Sequence, residues 1–346
     1  MEAGAPDVIA DDGTLYVDHS TLAAVTTCDT QGFLRYALGY TASEERAALL
    51  AGTALHRAVA AWFRRGHVGQ ARQVFEVAYR EWAEANVPTD DRLSWRNTSL
   101  VVDRWLETHP AASLPWTTLP EYIEAGFAYP LTDDIVYTGR IDDLVAYAPP
   151  SQPELEWCVV DTKSTSRLSA PWRAQWIMDA QITGYVWAAQ QLARAAGVER
   201  PVSAGFINAV EFARLPSDPT KICRGGTWGE GHGVPYAECA RYHARYEILG
   251  PYYRTPEQIE EWRVDAIRWA KEYRRLAAVA RDFGATALPT IPMRGKWTKA
   301  CRFCEFNSEN AKFCAAGRPT AMLGTALVRE PWDPLAHAGV VLSRTI

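Results

Sequence analysis

The sequence predicts an α/β fold in which helices pack around a sheet. Three observations predict it. Apolar residues recur at helical spacing between about 20 and 108, strand-like runs fill 121–165, and helix and strand then alternate before a long helix over about 255–281. The 346 residues are 48% hydrophobic, enough for a sizeable core. A formal net charge of −5 excludes a protein that grips nucleic acid by bulk charge. Any such contact needs a local basic groove around an acidic, metal-filled site.

Residues 1–18 read as a lead-in. Ser20 and Thr21 cap a helix running through Leu22, Val25, Phe33 and Leu34, with Cys28 inside it. A second helix starts near Thr53, after Gly52, with Leu55, Val59, Trp62 and Phe63 on its apolar stripe. Further helices cover about 70–86 and 94–108, and PAASLPWTTLPE is a Pro-rich loop. EYIEAGFAYPL, IVYTGRIDDLVAYA and LEWCVVDTKS are strand segments separated by turns. A helix over about 172–196 follows, then the strand VSAGFINAVEF, an irregular stretch over 213–235, and a short helix and strand within 236–253. Thr255 caps the long helix. One domain is expected over 19–315, with a helical insertion at 65–115, an irregular insertion at 211–245 and a cysteine cluster at 301–314. Residues 316–346 form a C-terminal tail.

The N-terminal MEAGAPDVIADDGT is acidic and lacks the apolar core of a signal peptide. No apolar run approaches the ~20 residues of a membrane helix. The expected location is the cytoplasm, with no membrane partner. Seven cysteines should stay reduced there, so clustered cysteines suggest metal rather than disulfides.

The chemistry lies in three pieces: Asp142 in GRIDDLV, Asp161 and Lys163 in VVDTKS, and Gln181 with Tyr185 in QITGY. Asp142 and Asp161 end adjacent strands of a hairpin, making a hard-oxygen site suited to Mg²⁺ or Mn²⁺. Strand alternation puts Asp161 and Lys163 on one face, so the ammonium points toward the metal. Phosphodiester hydrolysis uses such a set: the metal polarises the phosphate, and the lysine orients the nucleophile or neutralises developing charge. Gln181 and Tyr185 share a helix face and can bond DNA or the loop carrying Asp161. His56 on the early helix offers an imidazole ligand. Taken singly, D-x-K, QxxxY and a helix histidine are ordinary surface or core features; their order gives them weight.

GTALH (Gly52 to His56), GRID (Gly139 to Asp142), VVDTK (Val159 to Lys163) and QITGY (Gln181 to Tyr185) resemble, in order, the RecB-like branch of the PD-(D/E)XK nucleases. That branch includes the RecB and AddB nuclease domains and the CRISPR-associated RecB-like exonucleases. The resemblance implies a restriction-endonuclease-like core, a mixed central sheet flanked by helices. It implies metal binding by His56, Asp142, Asp161 and the main-chain carbonyl of Thr162, with Lys163 catalytic. It also implies a DNA exonuclease acting on single strands or duplex ends in recombination, repair or phage DNA processing, beside a recombination or repair partner protein.

Cys301, Cys304 and Cys314 form C-x₂-C-x₉-C, a metal signal one ligand short of four, and Cys28 completes it. The resemblance implies a [4Fe–4S] cluster stapling the two ends of the domain, although x₉ is wider than the family's usual gap. Zn²⁺ is the rival. Cys158 reads as a core residue. Cys223, His232, Cys239 and His243 fit no zinc spacing. Glu121 and Glu124 lie on a strand before the hairpin, either near a second metal or as surface acids, and Asp143 points away from Asp142. Arg64, Arg65, Arg167, Arg173, Lys296, Lys299 and Arg302, interleaved with Trp172, Trp176 and Trp297, suit a single-stranded path. Two other readings remain: a catalytically inactive nuclease-fold DNA-binding or assembly subunit, and a structural zinc protein.

Overall fold

A computed structural model of the chain describes residues 9–10, 12–42, 47–86, 88, 90–108, 113–150, 154–214, 218, 220–222, 225–226, 229–230, 233–235, 245–302, 304–307 and 312–338. Cys223, His232, Cys239 and His243, much of the 211–245 insertion and the end of the tail lie outside the described residues.

The N-terminal part contains β1 (Leu15–Val17), α1 (His19–Thr27), α2 (Asp29–Gly32), a π-turn at Phe33–Ala37 and β2 (Tyr40–Ala42). The helices α3 (Ala47–Arg65), α4 (Val68–Asn86) and α5 (Trp95–Thr108) follow. Next come β3 (Trp116–Thr118), β4 (Ala125–Thr132), β5 (Ile135–Ile141), β6 (Asp143–Tyr147) and β7 (Glu156–Thr165). Then α6 (Ala170–Ala174), α7 (Ala180–Ala195), β8 (Val202–Glu211), a small hairpin of β9 (Gly225–Gly226) and β10 (Gly229–Glu230), and β11 (Arg245–Tyr253). The described chain ends with α8 (Pro256–Phe283), β12 (Leu327–Arg329) and α9 (Pro334–Ala338).

The central sheet is mixed, in the order β11-β8-β7-β6-β3. Only the β7–β8 pair is parallel; the others are antiparallel. β7 is buried on both faces because each face meets its own cluster. Trp157 and Val159 join the main core, while Cys158 and Val160 pack with Trp116, Val145 and Phe206. Continuous Glu156–Thr162 burial suits a central strand between two covered faces. A second sheet, β1-β5-β4, stands beside it. Helices α3, α4 and α5 form a satellite core around Trp62, Phe75 and Trp105. Among the described residues, no helix is long and apolar enough to cross a membrane.

Several expectations need correction. The first helix is broken at Cys28, which is extended (φ −163°, ψ 122°) between α1 and α2. Its cap is Asp18, whose Oδ1 accepts the Thr21 N–H at 2.8 Å, rather than Ser20 or Thr21. α3 starts at Ala47, so Gly52 lies within it rather than before it, on the side that faces β7. A Cβ on Gly52 would stand 3.2 Å from Ser164 Oγ. The Pro-rich loop contains β3, which gains its partner only by pairing with β6. The run IVYTGRIDDLVAY bends at Asp142, so β5 and β6 serve different sheets. The helix expected over 172–196 is α6, a 3₁₀ turn at Gln175–Met178, and α7, which Asp179 caps through Ile182 N–H. Glu121 sits in a 3₁₀ turn and Glu124 at positive φ (55°), so neither is on a strand.

The C-terminal residues described also pack inward. β12 pairs with β2, and Trp332 Nε1 donates to Asp18 Oδ2 at 3.0 Å. α8 braces the whole: it starts on a Thr255–Gln258 capping box, and Tyr273 donates its hydroxyl to Tyr36 O. Gly184 on α7 lets these layers close. A Cβ there would meet Trp262 Cζ2 at 2.5 Å and Tyr137 Oη at 2.7 Å. Gly184→Ala should therefore destabilise the protein by about 1–3 kcal/mol, the usual range for overpacking. A wild-type urea midpoint would contradict this.

Candidate active site

A cleft of about 580 Å³ opens between the start of α1, the middle of α3, the β5–β6 bend, the end of β7 and the start of α7. The sequence-predicted residues His56, Asp142, Asp161, Lys163, Gln181 and Tyr185 all line it. Thr162 contributes its main chain: its N–H donates to Asp142 Oδ2 at 2.8 Å. Its side chain faces the other way, where Asn208 Nδ2 donates to Thr162 Oγ1 at 3.3 Å, so any metal contact from Thr162 comes from the backbone.

The polar groups form two linked pairs. His56 Nδ1 lies 3.0 Å from Asp142 Oδ2, and Lys163 Nζ lies 2.8 Å from Asp161 Oδ2. A relay continues from the lysine. Lys163 Nζ donates to Gln181 Oε1 at 2.9 Å, and Gln181 Nε2 donates to Tyr185 Oη at 3.0 Å. Phe127 packs edge-on against Tyr185 and holds the end of the relay.

Burial dominates the electrostatics. It pushes the Asp161 carboxyl up to about 6, against the opposing pull of Lys163. Burial also opposes charge on Asp142, yet His56, Lys163 and the Thr162 N–H hold it below the usual carboxylate range. Burial works against the imidazolium of His56, but the Asp142 carboxylate outweighs it and raises His56 above its ordinary value. Lys163 is raised likewise, Asp161 and Asp142 prevailing over burial.

Sequence reasoning did not single out every wall of the cleft. Asp18, His19 and Ser20 bring the start of α1 to it, and Arg57 and Arg140 stand at its side. The D-x-x-T cap pattern at Asp18–Thr21 was a local signal for the α1 start, but no local pattern places that start beside β7. Glu124 also lines the cleft, paired with Arg140 Nε at 2.7 Å, whereas Glu121 is not among its lining residues. Burial, with Asp142 adding, raises the Glu124 carboxyl. Asp143 lies away from the cleft, fully buried, and burial pushes its carboxyl well above the usual range.

The four cysteines meet elsewhere. Cys28, Cys301, Cys304 and Cys314 line one small chamber with Thr30, Gly295 and Phe306. Thr30 N–H and Oγ1 both donate to Pro292 O, stitching the early helix to the chain before the cluster. Gly295 makes the approach close: a Cβ there would lie 3.2 Å from Cys28 Cβ. Burial pushes the Cys304 thiol up to about 11 and Cys314 up to about 12, the neighbouring sulfurs adding to it. Cys158 is a core residue of β7, as its sequence context suggested. Among the described residues, no three His, Cys, Asp or Glu side chains converge closely enough to hold a single metal ion. In the cleft, His56 and Asp142 bond each other instead.

The donor chemistry of the cleft nonetheless fits a hard divalent cation: the buried Asp161 carboxylate, the part-buried Asp142 carboxylate and the His56 imidazole, with the Lys163 ammonium as counter-charge. An acid at the β5–β6 bend beside an acid and a lysine on β7, under a helix that steadies the lysine, is an arrangement suited to phosphodiester hydrolysis. The chain matches the PD-(D/E)XK nuclease superfamily over residues 17–308, and it belongs to that superfamily. Membership makes it a hydrolase of the deoxyribonuclease type with a nucleic-acid substrate, and nucleases of this superfamily typically use divalent metals such as Mg²⁺. No curated protein matches the chain significantly.

Proposed function

We propose that the protein is a Mg²⁺- or Mn²⁺-dependent DNA exonuclease of the RecB-like branch, with a [4Fe–4S] cluster on Cys28, Cys301, Cys304 and Cys314. The observation that carries the nuclease reading is the convergence of His56–Asp142 and Asp161–Lys163–Gln181–Tyr185 in one cleft. The exonuclease mode and the cluster rest on the motif resemblance, and the shared chamber of the four cysteines supports the second.

His56, Asp142, Asp161 and the Thr162 carbonyl would hold the ion. When bound, it supplies Lewis acidity to the scissile phosphate and favours ionisation of the attacking water. Asp142 is held ready by the Thr162 N–H and by His56. Lys163 keeps its proton, so its ammonium orients the water or neutralises the charge that grows on the phosphate oxygens. Gln181 fixes Lys163, and Tyr185 fixes Gln181, so both act through the lysine rather than on the phosphate.

That relay sets a graded expectation. Gln181→Ala should lower kcat about tenfold, the scale on which supporting hydrogen bonds act, with bound metal unchanged. Tyr185→Phe should cost less, because the Gln181–Lys163 bond survives. Loss of metal in Tyr185→Phe, read by calorimetry, would instead make the pair a support for the ligands.

The function itself is tested with end-labelled linear and closed circular DNA, single- and double-stranded, in Mg²⁺ or Mn²⁺. Stepwise release of label from linear DNA is expected. Rapid linearisation of the closed circle would replace the exonuclease with an endonuclease. Absence of all cleavage would favour a binding subunit.

A further inference from the structure

The basic and aromatic residues singled out in the sequence divide once the chain is folded. Trp172 and Trp176 meet edge to face at 5.2 Å, and Trp176 is buried. Arg173 is paired with Glu247, and Arg64 donates to Ile123 O. These groups are engaged in holding the fold. The segment beside the cysteine chamber is different. Trp297 is 80% exposed, more than any other large hydrophobic residue among those described. Lys296 Nζ lies 4.5 Å from its ring centroid. Arg294 is engaged as well, paired with Asp29, but Lys296 and Lys299 flank the indole in a stretch with no acid between Gly284 and Cys304, in a chain whose net charge is −5.

Position adds to composition. Gly295 abuts Cys28 at the C-terminal end of α1, while His19 and Ser20 at its N-terminal end line the cleft. Nine helical residues separate the two ends by about 13 Å. That is the span of a few nucleotides. An indole left in water gains nothing from the fold, but it offers a π-face to any base, and the cations around it offer phosphate contacts.

We propose that Trp297, with Lys296 and Lys299, is a stacking platform for a base of single-stranded nucleic acid, a few nucleotides from the cleft. The proposal rests on the nuclease reading for its substrate class, yet binding can be read without cleavage. The full-length, metal-loaded cysteine centre is kept, catalytic divalent metal is withheld, and anisotropy of a labelled oligothymidylate and of a blunt duplex is measured. Trp297→Ala should weaken oligothymidylate binding roughly tenfold, the scale of one base–aromatic stack. Trp297→Phe should restore most of it, and duplex affinity should change far less. Unchanged oligothymidylate affinity in Trp297→Ala overturns the platform, whether or not the wild type cuts DNA. So does an equal loss on single strand and duplex, which would mark a general effect on the fold or field. If the platform stands but no DNA is cleaved, only the nuclease reading fails.

Discussion

Lys163→Ala should reduce kcat/KM for DNA by roughly 10²–10³-fold, the scale of removing one preorganised charge-stabilising group from an active site. Lys163 is the ammonium placed between the Asp161 carboxylate and the Gln181 amide. Its loss removes the group that steadies the water or the phosphate oxygens. It also leaves Asp142 and Asp161 facing each other with less counter-charge, so Asp161, already pushed up to about 6 by burial, should hold its proton more tightly. The arginine variant should not rescue, because a planar fork does not reproduce a compact ammonium. Circular dichroism should be unchanged, since Lys163 lies at the end of β7 rather than in its buried run. Wild-type kcat/KM in purified Lys163→Ala would sink the catalytic reading. Asp142→Ala and Asp161→Ala should be at least as severe, and calorimetry should show weakened divalent-metal binding in both.

Cys301→Ser and Cys314→Ser should give colourless, less stable protein. Cys28 lies between α1 and α2 and the other three follow α8, so one metal centre on all four would close a loop of about 270 residues. Restricting so long a loop in the unfolded chain is worth about 5–6 kcal/mol in the chain-entropy account. Native-state contacts add to this, because Thr30 and Gly295 already bring the two segments together. The centre should be structural: hydrolysis moves no electrons, and Asp142 at the β5–β6 bend and Asp161 and Lys163 on β7 stand outside the chamber. A soluble fraction of either variant should thus retain some cleavage. Iron and sulfide assay with visible absorption distinguishes a cluster from Zn²⁺. Wild-type melting temperature in the variants would remove the staple. Cleavage switched on and off by reducing an intact cluster would overturn its structural role.

The elements most legible in the sequence were those with local causes. α8 has a capping box and sustained helical period, and β7 has an unbroken apolar run ending in D-x-K. The spacing of Asp161 and Lys163 put both side chains on one face, and the fold keeps them there, 2.8 Å apart. QxxxY likewise reads as one helix face, and Gln181 and Tyr185 do bond. Where local pattern failed, the cause was distant. Cys28 looks like the interior of a helix, yet it is the extended residue between α1 and α2, close against Gly295 from the far end of the chain. IVYTGRIDDLVAY reads as one strand, and only the competition of two sheets for its halves bends it at Asp142.

By itself, then, the sequence determined the chemical inventory: two acids, a lysine, an imidazole and four cysteines, in an order that fits phosphodiester hydrolysis. Period and alternation fix which side chains share a face within one element, because that geometry is local. The tertiary structure alone decided which faces meet. It brought His56 from α3 to Asp142, set Gln181 on Lys163 rather than in open solvent, and carried the start of α1 to the cleft. It buried Trp176 and left Trp297 exposed, although both are tryptophans beside basic residues. The reason is that burial and long-range pairing depend on how layers pack, and no window of neighbouring residues contains that information.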